Sequence, residues 1–109
     1  MLNRESAAEP EYLERYLPEL ARARRDRLIQ TIAELVQIPS ENTPPLGSEG
    51  ACQRYVFDRL SRLELKTEMY DLLEVAGIGG HPEFKPGRDY TDRPNVAAVW
   101  PGSGGGRSL

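Results

Sequence analysis

A chain of 109 residues is long enough for one small domain, and a domain of that size hides only about 60–70% of the surface its unfolded chain exposes, which excludes a large core. A net charge of −3 argues against a general nucleic-acid binder, whose surface is normally net basic, and no apolar run reaches the length of a membrane span. From Met1 to Glu11 there is no apolar stretch that could serve as a signal peptide, and a single cysteine, Cys52, cannot close an internal disulfide; both fit a cytoplasmic, reducing compartment.

From Pro10 to about Gln37 the apolar residues recur at helical spacing. Tyr12, Leu13, Tyr16, Leu17 and Leu20 form one stripe, and Leu28, Ile29, Ile32, Leu35 and Val36 form another. Pro18 removes a backbone donor and clashes with the preceding turn, so the pattern predicts two helices or a kink there. Arg22, Arg24, Arg25 and Arg27, with Glu19, Asp26 and Glu34 nearby, read as a solvated helix face and not as a phosphate-binding patch. Pro39 disfavours helical geometry in the residue before it, which places the helix end at Ile38.

The stretch "IPSENTPPLGSEG" reads as an ordered loop, after which Ser48 is expected to cap a helix that carries Ala51, Cys52, Tyr55, Val56, Leu60 and Leu63 on one face. Leu65, Thr67 and Met69 then alternate with Lys66, Glu68 and Tyr70, the period of a half-buried strand. "LEVAGIGGHPEFKPGRDYTDRP" has no period. Asn95 to Trp100 predicts a second strand, Pro101 and the glycines of 102–106 a turn, and Arg107 to Leu109 the start of a third strand. The order predicts an α/β sandwich in which two helices cover a sheet with an exposed edge.

Chemistry-bearing residues are few. His81, Glu83, Asp89 and Asp92 raise the question of a metal site, but zinc needs three or four ligands converging from a rigid frame. These four lie on a Pro/Gly-rich loop without helical i, i+4 spacing, and His81 reads as a surface or packing histidine. Cys52 lies on the apolar stripe, far in sequence from the only histidine, and reads as a buried thiol, not a nucleophile. No serine sits in a G-x-S-x-G turn. The glycines at 77, 79 and 80 and at 102 and 104–106 are not followed by helix starts, so they predict turns and not phosphate cradles.

Three strings, "ELVQIPSENTPP", "EGACQRYVFDRL" and "RPNVAAVWPGSGGGRSL", stand in the order and spacing of a known family. They resemble the N-terminus of the metal-dependent amidohydrolases and exopeptidases that include acetylornithine deacetylase and succinyl-diaminopimelate desuccinylase. "HPEFKPGRDYTDRPNV" is similar to the deacetylase and deformylase branch. The resemblance implies an α/β fold: the N-terminal fragment of a zinc-exopeptidase-like catalytic domain, with two or three helices against an incomplete sheet. It covers residues 25–109, and residues 1–24 would be an N-terminal helical extension.

For the parent the resemblance implies two zinc or cobalt ions that activate water to cleave the amide of an N-acyl amino acid or related acylated amine. The implied partners are a small acylated amine or peptide substrate and a second copy in a homodimer, without nucleic acid or membrane. In that family the strand begun by "GGGRSL" runs on into a His-x-Asp motif that supplies the first metal ligand. This chain is expected to stop before it, so no catalytic, metal or substrate-binding residue of the family maps onto it, and the chain alone is expected to be inactive. One departure is Glu64, where family members often place a glycine at the end of the second helix. The alternative expectation is a stand-alone interaction domain that pairs its open sheet edge with a partner chain.

Overall fold

Pro18 does not break the first helix. The computed structural model, which describes residues 10–105, places Pro18 inside α1 (Pro10–Ala23), and α2 (Arg25–Gln37) follows after a single turn residue, Arg24. The break falls where the arginines crowd. Arg22/Arg25 and Arg24/Arg27 are like charges three apart, which weakens a helix. There the Arg24 N–H is shared between Leu20 O at 3.1 Å and Ala21 O at 3.2 Å, a tightened turn of 3₁₀ character. The helix continues through Pro18 to Ala23 although that residue has no N–H to donate to the preceding turn. α2 ends at Gln37, one residue before the expected end, and no described helix is long and apolar enough to cross a membrane.

The chain divides into two units, one ending at Gln37 and the other beginning at Ile38. In the second unit the loop after Pro39 contains a small hairpin, β1 (Asn42–Thr43) with β2 (Leu46–Gly47), which turns through a cis Pro44–Pro45 peptide. Helix α3 (Gly50–Ser61) follows. Ser48 is not its cap: its hydroxyl and its N–H both donate to Glu41 O, at 3.3 and 3.0 Å, and close the mouth of the hairpin. The residue at the cap position is Glu49, and its side chain is engaged elsewhere.

β3 (Lys66–Tyr70) and β4 (Asn95–Val99) pair antiparallel, with Lys66 opposite Val99 and Tyr70 opposite Asn95, and α3 packs against both. The described residues therefore form a mixed α/β structure of three helices and two small antiparallel sheets. The expected alternation on β3 is only partly present. Leu65 and Thr67 are half-buried, but Met69 is exposed and Tyr70 is half-buried, because a two-stranded ribbon has little sheet on either face to hide a side chain. The expected strand at Arg107 to Leu109 lies outside the described residues.

Among the described residues only Gly50 and Pro94 are buried, and no large apolar side chain is. Trp100 is 86% exposed and Val36 79%. Apolar burial is thus partial throughout the described residues.

The turn from α3 to β3 depends on one unusual residue. Glu64 has φ of 57°, left-handed backbone in which an L side chain meets its own carbonyl and which glycine adopts without that cost. Glu64→Gly is expected to raise stability by about 1 kcal/mol by removing that clash. The urea midpoint of the far-UV signal should move up; an unchanged or lower midpoint would contradict it.

Candidate functional site

The residues that come together are not those a chemical motif would select. Two stretches of low periodicity, 41–54 and 84–95, meet through a set of charged and polar contacts at the N-terminus of α3. Arg93, just ahead of β4, donates from Nε and Nη2 to the two oxygens of Glu49, both at 2.8 Å, while its Nη1 donates to Asp89 O at 3.0 Å. This two-pronged arrangement is shielded: the Arg93 side chain is 10% exposed and Glu49 23%. One residue earlier, Asp92 takes both Arg54 nitrogens, at 2.6 and 3.1 Å, at a more open position. Two charge-assisted forks side by side fix the approach to β4 against the first turns of α3.

Two glycines make the approach close enough. A Cβ on Gly47 would stand 2.6 Å from Arg93 Nε, and one on Gly50 would stand 2.5 Å from Asp92 O. Asp92 itself has φ of 51°, which turns its carbonyl toward the helix start. The hairpin joins the same assembly. Asp89 N–H donates to Pro45 O at 2.8 Å, and Arg88 Nη1 to Asn42 Oδ1 at 3.2 Å. On the other side Tyr90 stacks on Phe84, ring centroids 5.4 Å apart, lies under the Arg93 guanidinium, and has its hydroxyl on the Lys85 carbonyl at 3.0 Å.

The carboxylates respond to these partners. Burial pushes Glu49 up, but the hydrogen bonds from Arg93, its charge and that of Arg88 outweigh it and hold the carboxyl below its ordinary value of 4.5. Hydrogen bonds from Arg54 hold Asp92 below 3.8, and those from Thr91 do the same for Asp89. A cavity of about 150 Å³ beside the pair is lined by Glu49, Gln53, Tyr90, Arg93 and Asn95 among others. Its two charges face each other. A carboxylate so held is a poor general base, and a guanidinium already forked onto it is not free to grip an anion.

Of the residues weighed for metal or nucleophilic chemistry, Asp89 and Asp92 take part in these contacts. His81 is exposed, and its Nδ1 accepts the Glu83 N–H at 3.2 Å within its own turn. Asp89 and Asp92 are committed to Thr91 and Arg54. Cys52 is half-buried on α3, less covered than the buried thiol expected. Among the described residues no three His, Cys, Asp or Glu side chains are placed to hold a metal, so they do not fit the zinc centre that the resemblance implies for the parent. The glycines at 77, 79 and 80 lie in a turn that passes into a single 3₁₀ turn at Ile78–Gly80.

Sequence reasoning singled out neither Glu49 nor Arg54. The available signal was a glutamate directly before a helix start, where the helix dipole favours an anion, between two glycines. Comparison with known proteins returns no matching family model, curated protein or solved structure.

Arg93→Ala should strip Glu49 of both donors and cost about 2 kcal/mol. Amide exchange at Val96 and Ala98 is expected to quicken about 30-fold, and Arg93→Lys should recover only part of the loss because an ammonium cannot fork. Unchanged exchange in Arg93→Ala would refute the assignment. Because Glu49 and Asp92 are held below their ordinary values, their contribution is complete above about pH 4.5 and is lost as pH falls through the depressed values. An acid titration of the β4 amide shifts should show this loss below pH 4.5, and Glu49→Gln should remove part of it; a transition centred near neutrality would contradict the assignment.

Proposed function

We propose that this chain is the N-terminal portion of the catalytic domain of a metal-dependent hydrolase of amide bonds, related to acetylornithine deacetylase and succinyl-diaminopimelate desuccinylase. Its own part in that enzyme is structural. The observation that carries the reading is the ordered set of strings "ELVQIPSENTPP", "EGACQRYVFDRL" and "RPNVAAVWPGSGGGRSL". Glu64 adds support, since it takes the left-handed conformation at the place where such enzymes often have glycine. Under this reading α3 and the β3–β4 ribbon brace a larger sheet, and the Arg93–Glu49 fork sets the direction in which the chain leaves β4. The metal ligands, the base and the substrate pocket belong to segments beyond these residues, and the substrate class is an N-acyl amino acid or related acylated amine.

A second reading has one observation in its favour. The β3–β4 ribbon has two strands, so each presents an unpaired edge among the described residues, and an interaction domain that adds a strand from a partner would use such an edge.

The test is a comparison of two proteins, this 109-residue chain and the product of its gene with all the coding sequence that follows Leu109. The longer product is expected to contain a His-x-Asp motif, to retain about two zinc ions per chain by metal analysis, and to release amino acid from N-acetyl and N-formyl substrates. The 109-residue chain is expected neither to retain zinc nor to release amino acid. A reading frame without that motif, or zinc-dependent turnover by the short chain, would overturn the proposal.

A further inference from the structure

We draw no further inference here: the strongest candidate, the exposed apolar stripe on α1 and α2 through Leu17, Leu28, Ile29 and Val36, carries no proposal because nothing in the structure shows what covers it.

Discussion

Two nitrogens of Arg93 meet both oxygens of Glu49 across 44 residues of sequence, and the second unit depends on that meeting. Neither partner lies in a regular strand, and Glu49 only just precedes its helix. Between them the chain makes α3, the turn at Glu64, β3 and a long aperiodic connection, none of which contains an apolar side chain that is fully buried. A thin ribbon under one helix hides little surface, and hydrophobic burial of this partial kind specifies register weakly. A shielded, geometrically demanding fork specifies it strongly, because only one placement of the residues before β4 satisfies both oxygens at once.

The neighbouring features follow from that demand. Gly47 and Gly50 flank Glu49 because a side chain at either would occupy the space taken by Arg93 and Asp92. Asp92 adopts left-handed backbone so that its carboxylate reaches Arg54 while the next residue turns inward to Glu49. Pro94, buried like Gly50, then enters β4 without a backbone N–H that would need a partner. The hairpin around Pro44–Pro45 is drawn in by backbone and side-chain bonds from Asp89 and Arg88, so two Pro-rich loops join in one ordered surface.

The repeating parts of this architecture were legible in the sequence. α2 and α3 announce themselves by apolar spacing, and β4 by its Val and Ala run between Pro94 and Pro101. Two of the misses share a cause, and a third is local. The break falls at Arg24 and not at Pro18, while the arginines around it are exposed, as a solvated face should be. Ser48 looked like a cap because capping is a local rule, but its hydroxyl was already needed by Glu41 O across the hairpin. The fork itself pairs residues in two loops, and no periodicity links positions 49 and 93. Local rules read local contacts, and the organising contact here is long-range.

Amide hydrogen exchange across α3 and β4 in a double-mutant cycle of Glu49→Gln and Arg93→Lys is the most direct test. If the fork organises the unit, each single change should accelerate exchange, and the double variant should exchange little faster than either single, a non-additivity of at least about 1 kcal/mol. Effects that simply add would show that Glu49 and Arg93 act independently, and the central place given to their pairing would be wrong.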